Sequence, residues 1–228
     1  MYSLVVVGVG GTGSNLATFL AQYAINEKKV KEIILIDEDI VESKNFRNQK
    51  FTERDVNKNK ARVLATRFKK LGINISYIDR YIKSKDDIKN IIKNISNDVI
   101  LIGCVDNVPA RKYMHDCFYD DEIETLIYID TGNGDKEHCG QTVVGAKYNG
   151  KVIRPPVGDI YPQILVEEIK EEKKEDKYKC SAIEEHPQSF AVNVLSATTT
   201  FMMVNNIVSL GKVKKAYVRF NADYVSIK

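Results

Sequence analysis

The chain has 228 residues, 43% of them hydrophobic, enough for one domain to close a substantial core without disulfides or metal as staples. Its 34 basic and 31 acidic side chains leave a formal charge of +3, which argues against nucleic acid as a partner, since a row of phosphates calls for concentrated basicity. Cys104, Cys117, Cys139 and Cys180 form no C-x-x-C pair, and the N-terminus enters an apolar stretch without a basic leader; zinc knuckle, disulfide framework and signal peptide are disfavoured, no segment reaches the ~20 apolar residues of a membrane span, and a cytoplasmic location is expected.

In chain order, Leu4 to Val9 predicts a first strand, and Gly8, Gly10 and Gly13 form G-x-G-x-x-G before a helix that opens near Gly13 and turns Leu16, Phe19 and Leu20 inward. Missing side chains let backbone approach a phosphate at the helix N-terminus. A second strand, Glu32 to Asp37, places Asp37 24 positions after Gly13, where a carboxylate accepts hydrogen bonds from ribose hydroxyls. Asp39, Asn45, Arg47, Gln49 and Lys60 follow, and cations there suit more phosphate than a dinucleotide carries. A helix over Val56 to Leu71, ended by Gly72, and strands over Ile73 to Ile78, Val99 to Cys104 and Leu126 to Asp130 complete a βαβ rhythm. The fold class predicted is α/β: a doubly wound, Rossmann-like, mostly parallel sheet.

Asp106 and Asn107 follow the fourth strand at the mouth of the sheet, with Arg111 one turn on. Asp106 suits Mg²⁺, which takes one or two carboxylates plus phosphate oxygens. The plainer alternative for this pair is a helix N-cap, and for Lys60 an exposed helix lysine. After Asp130 the pattern changes. Gln141 to Tyr148, Asn149-Gly150 and Lys151 to Ile153 predict an antiparallel hairpin, an edge extension of the same domain. Pro155 to Lys179, with the charged run Glu167 to Lys177, is expected to stay out of the core as a crossover loop with some helix. Gln188 to Leu210 predicts a buried helix too polar to span a membrane, and Ala216 to Ile227 a terminal hairpin.

Taken together, Gly8-Val9-Gly10-Gly11-Thr12-Gly13-Ser14, Ile36-Asp37-Glu38-Asp39, Asn45-Phe46-Arg47-Asn48-Gln49, Lys60 and Asp106-Asn107 resemble the ThiF-type adenylyltransferases, bacterial relatives of the ubiquitin-activating enzymes. The resemblance covers about the first 130 residues, the nucleotide-binding half, by its spaced motifs. It implies ATP on the glycine loop (Gly8, Gly10, Gly11, Thr12, Gly13), ribose on Asp37, phosphates lined by Asn45, Gln49 and Lys60, and metal and catalysis at Asp106. It further implies a homodimer, and a sulfur-carrier or ubiquitin-like protein as partner. Lys179-Cys180-Ser181, with Gln188 and Asn193, is similar to ThiF-like proteins of plasmids and mobile elements. The segment departs from the family's S-N-L-x-R-Q: Lys44 replaces the serine, and the arginine stands at Arg47 with Asn48 in its expected place. Members that bind zinc use paired C-x-x-C motifs, so no structural zinc is expected.

The expected reaction is attack by a protein C-terminal carboxylate on the α-phosphate of ATP. Both reactants are anionic, so positioning and charge neutralisation by Lys60, Arg47, backbone near Gly11 and Mg²⁺ on Asp106 matter most. Cys180 is the candidate nucleophile for a subsequent thioester, in a polar stretch with His186 nearby. Cys104 and Cys117 read as structural thiols. A nicotinamide-dependent oxidoreductase and a non-catalytic nucleotide-binding module are the alternatives.

Overall fold

The computed structural model describes residues 1–133, 138–166 and 189–227. Among these, nine strands join one sheet: β1 (Tyr2–Val7), β2 (Val30–Ile36), β3 (Ile75–Ile78), β4 (Asp98–Gly103), β5 (Leu126–Asn133), β6 (Cys139–Tyr148), β7 (Lys151–Arg154), β8 (Tyr217–Asn221) and β9 (Ser226–Ile227). Their order is β3-β2-β1-β4-β5-β6-β8-β9, with β7 also paired to β6. Pairing is parallel from β3 to β5 and antiparallel beyond. The predicted Rossmann-like sheet with its antiparallel extension is therefore present, and its order reverses at β1, which lies between β2 and β4.

Helices cover both faces: α1 (Gly11–Ala24), α2 (Lys60–Lys69), α3 (Lys85–Lys93), α4 (Val108–Phe118), the short α5 (Val157–Ile160) and α6 (Phe190–Val208). In β1, Leu4 and Val6 enter a core shared with α1, α2 and α6, whereas Val5 and Val7 enter a second core with α3 and α4. Burial on both faces is why the strand reads as an unbroken apolar run. Helices α3 and α4 went unassigned in the sequence reading. In α3, Ser84 caps the start by accepting from Asp87 N, and Ile88, Ile91 and Ile92 form the buried stripe.

Several boundaries move for local reasons. β1 ends at Val7 and not Val9, because Gly8 turns the chain at φ +85°. The helix predicted over Val56 to Leu71 begins only at Lys60: Asn57 has φ +62°, and Asn59 caps the helix by accepting from Arg62 N. At Asn149 and Gly150, φ values of +48° and +73° make the tight turn of the β6–β7 hairpin. The segment from Pro155, expected outside the core, starts within it. Val157 packs in the α3–α4 core, and Gly145 lets Pro156 lie against β6, since a Cβ there would stand 2.7 Å from Pro156 Cα.

By length and composition α6 is long and apolar enough to cross a membrane, whereas the sequence reading has it too polar for that. Here it packs on the sheet through polar contacts: Ser196 bonds Thr131 (2.5 Å) and Thr199 bonds Thr142 (2.9 Å). The run Glu167 to Lys177 and the segment carrying Lys179, Cys180, Ser181, His186 and Gln188 lie outside the described residues.

Candidate active site

A cavity of about 1160 Å³ opens over the C-terminal ends of the parallel strands, where doubly wound sheets bind ligands. Gly8, Gly10, Gly11 and Thr12 line it. Gly13 does not; it packs the turn, since a Cβ there would overlap the carbonyl oxygen of Gly8. Gly8 is also closely held, with Cys104 O 2.8 Å from the place of a Cβ. Gly10 caps α1 without a side chain, leaving the first N–H groups of the helix, and the positive end of its dipole, for an anion.

Asp37 leaves β2 on one side of this turn. Its Oδ2 accepts from Val9 N (2.7 Å) and its Oδ1 from Asp39 N (2.9 Å), so the carboxylate shapes the glycine turn while lining the cavity. Burial pushes this carboxyl above its ordinary range, against the pull of those two hydrogen bonds. Asp39 also feels burial, but hydrogen bonds from Lys60 and Tyr81 and the charges of Lys60 and Lys44 together outweigh it and hold the carboxyl low. Lys60 Nζ stands 2.9 Å from Asp39 Oδ2 with a side chain only 8% exposed, so it is not the solvent-facing lysine of the plainer reading. It opens α2, where the helix dipole disfavours a cation; Asp39 compensates, and a bound phosphate would do so further. Tyr81 donates to Asp39 Oδ1 (2.9 Å), which pushes the phenol up to about 12.

Across the mouth, Asn107 is the N-cap of α4, its Oδ1 accepting from Ala110 N at 2.9 Å. The plainer N-cap reading therefore holds for Asn107, which lines the cavity as well. Asp106, just before the cap, is exposed and also lines the cavity. Arg111 fixes this loop from behind: Nη2 donates to Val105 O (2.7 Å), while Nε lies 3.1 Å from Oδ1 of the buried Asp130. Tyr128 donates to the other oxygen of Asp130 at 2.9 Å.

A glycine turn, two positioned acidic residues, a buried lysine and an exposed carboxylate thus face one cavity, and the matching family model, over residues 1–217, is that of the ThiF family. The chain belongs to the ThiF family. No curated protein matches it. Among solved structures it is similar to PaaA (16% identity, TM-score 0.67, covering 100% of this chain and 63% of that one). It is also similar to E. coli MccB with ATP (22%, 0.66, 99% and 62%). A third is the microcin C7 biosynthetic enzyme MccB in complex with N-formylated MccA (22%, 0.67, 99% and 63%). The likeness concerns the fold, and the chain spans a little over three-fifths of those structures' length.

Not every residue expected at the site of this ThiF-family chain reaches it. Gln49 lies in the cavity wall, over Gly10. Asn45 is instead buried in a 3-10 turn (Ser43–Arg47), where its Oδ1 accepts from Glu42 N at 2.8 Å. Arg47 is exposed at the end of that turn and does not line the cavity; Asn48 does. The displaced arginine of the sequence is displaced in space too. Cys180 lies outside the described residues. The sequence reading missed Arg80, Tyr81 and Lys83, on the loop after β3, and Asn133 and Gln141 on β5 and β6, all of which line the cavity. Their only sequence signal was position: they follow or end strands at the ligand-binding edge.

Proposed function

We propose that the chain is an ATP-dependent adenylyltransferase that activates the C-terminal carboxylate of a peptide or small carrier protein, of sulfur-carrier or ubiquitin-like type. The observation that carries this reading is the cavity. At about 1160 Å³ it exceeds the ~300–1,000 Å³ of an ordinary small-molecule site, leaving room for a second reactant beyond the nucleotide wall of Asp37, Lys60 and the glycine turn. Family membership and the structures of MccB with ATP and with N-formylated MccA support it.

The acceptor carboxylate oxygen would bond to the α-phosphorus while the bond from that phosphorus to the oxygen bridging to the β-phosphate breaks. Pyrophosphate leaves with the electron pair, and no proton need move. The chain therefore has to hold two anions together. Backbone N–H groups at Gly11 and Thr12 and the ammonium of Lys60 would take phosphate charge, and Asp37 the ribose. Mg²⁺ fits the donors present: Asp37 and Asp39 have both oxygens engaged, whereas Asp106 is exposed and has no hydrogen bond among the described residues. Bound there with phosphate oxygens, the ion would neutralise developing charge on the leaving group.

A thermal-shift comparison tests the reading, because a ligand held only by the native state raises the melting temperature. Mg-ATP should stabilise the protein selectively over NAD⁺, and the effect should fall in Lys60→Ala and Asp106→Ala; selective stabilisation by NAD⁺ would overturn it. The position of Arg47 outside the cavity favours a second reading, a nucleotide-binding module without catalysis. Stabilisation by Mg-ATP without pyrophosphate exchange, when the chain is assayed with a panel of carboxyl-terminal peptides and carrier proteins, would select that one.

A further inference from the structure

Two side-chain amides on the antiparallel side of the sheet, Asn133 and Gln141, line the cavity. Asn133 ends β5 and lines the cavity. Its Nδ2 donates to Asn193 Oδ1 at 2.8 Å and to Thr12 Oγ1 at 3.3 Å, and Thr12 Oγ1 donates to Asn193 Oδ1 at 3.1 Å. Asn193 comes from α6 and is wholly buried. Three distant segments therefore meet in one bridge that joins the phosphate-facing turn to the rim of β5.

The bridge leaves two buried atoms without partners among the described residues, Asn133 Oδ1 and Asn193 Nδ2. Such an atom carries a desolvation penalty that native structures rarely leave uncompensated, and a ligand is one explanation. For Asn193 there is no room: its Nδ2 is 2.5 Å from where a Cβ on Gly11 would stand. Asn133 differs in that the residue lines the cavity, with its buried Oδ1 beneath that surface. Beside it, Gly132 lets two side chains come close, with Gln141 Nε2 and Arg111 Nη2 at 3.0 and 3.6 Å from the place of its missing Cβ.

We propose that Asn133 Oδ1 accepts the backbone N–H next to the reacting carboxyl of the second substrate, so that the site selects a peptide C-terminus over a simple carboxylic acid. Asn193 and Thr12 are positioning residues that fix the amide with its oxygen free. Thr12 stands in the turn that faces the phosphates, so a group one side chain away borders the place of the attacking carboxylate. In a peptide the amide nitrogen is two bonds from the carboxyl carbon, about 2.5 Å, which brings its N–H within reach. A neutral acceptor suits the position, since a carboxylate there would repel both anionic reactants. This inference rests on the adenylation reading.

The test uses two stable mimics of an acyl-adenylate, 5′-O-[N-(N-acetylglycyl)sulfamoyl]adenosine and its isostere 5′-O-[N-(acetoxyacetyl)sulfamoyl]adenosine, in which an ester oxygen replaces the N–H. By calorimetry the unaltered chain should bind the first about tenfold more tightly, the worth of one good hydrogen bond. Asn133→Ala should abolish that preference, and Asn193→Ala should reduce it. Equal affinity of the unaltered chain for both mimics overturns the assignment whether or not the variants fold. A preference that survives in Asn133→Ala overturns it equally. If ATP binds but neither mimic binds better than AMP, the adenylation reading fails and the inference falls with it.

Discussion

At the scale of single residues, Lys60 and Arg47 separate what a motif supplies from what a fold delivers. Both stand in the polar stretch after the second strand, and both read as phosphate ligands in the sequence. Lys60 is buried, aimed by the first turn of α2 and held by Asp39 at 2.9 Å, whereas Arg47 is exposed outside the cavity. A charge-assisted hydrogen bond is worth about 1.5–3 kcal/mol, so Lys60→Met should weaken Mg-ATP binding at least ~10-fold. Arg47→Ala should leave it within about twofold. Calorimetric titration of both variants checks this, and an equal loss in the two would return Arg47 to the site. Asp37, Lys60 and Asp106 were legible because each lies a fixed distance after a strand or turn. Asn133 and Asn193 were not, since their contact joins residues 60 apart through β5 and α6, and no local period encodes it.

At the scale of elements, the β1–α1 turn depends on two glycines that a sequence pattern cannot rank. Gly8 and Gly13 pack against each other and against Cys104, while Gly10 has open surroundings, its nearest neighbour being Gln49 Nε2 at 4.0 Å. Gly13→Ala forces α1 off β1 and should cost ~1–3 kcal/mol or more by urea unfolding, the range of overpacked cores. Gly10→Ala should cost less than ~1 kcal/mol. Equal costs would mean that the turn yields more readily than its close approach implies. The parallel strands were legible from their apolar runs because both faces are buried. Helix α3 was missed although Ser84, Asp86 and Asp87 mark its start; its nine residues carry only one buried stripe, and tertiary packing, not propensity, sustains so short a helix.

At the scale of the molecule, the parallel and antiparallel halves of the sheet are tied together beyond their shared strand β5. Asp120, just after α4, is the knot: Lys85 Nζ stands 2.8 Å and Lys89 Nζ 3.4 Å from Oδ2, and Lys147 Nζ on β6 donates to its backbone oxygen at 2.9 Å. No motif marks it, because its partners come from α3 and from a strand on the other side of β5. The hydrogen bond from Lys85 leads the effects that lower the Asp120 carboxyl from 3.8 to about 2, against a smaller cost of burial. A carboxyl lowered by folding stabilises the native state fully above its unfolded value and loses that contribution as pH falls through the folded one. The stabilisation should therefore be constant above about pH 4 and vanish between about 4 and 2. Asp120→Asn should melt below the unaltered chain near neutral pH, and the gap should close across that window as both are titrated in parallel. Lowered carboxyls that share no partner with Asp120, Asp55 and Asp87 among them, titrate alike in both proteins and cancel in the difference. A gap that persists undiminished at pH 2 would assign the role of Asp120 to packing and backbone geometry and not to its charge.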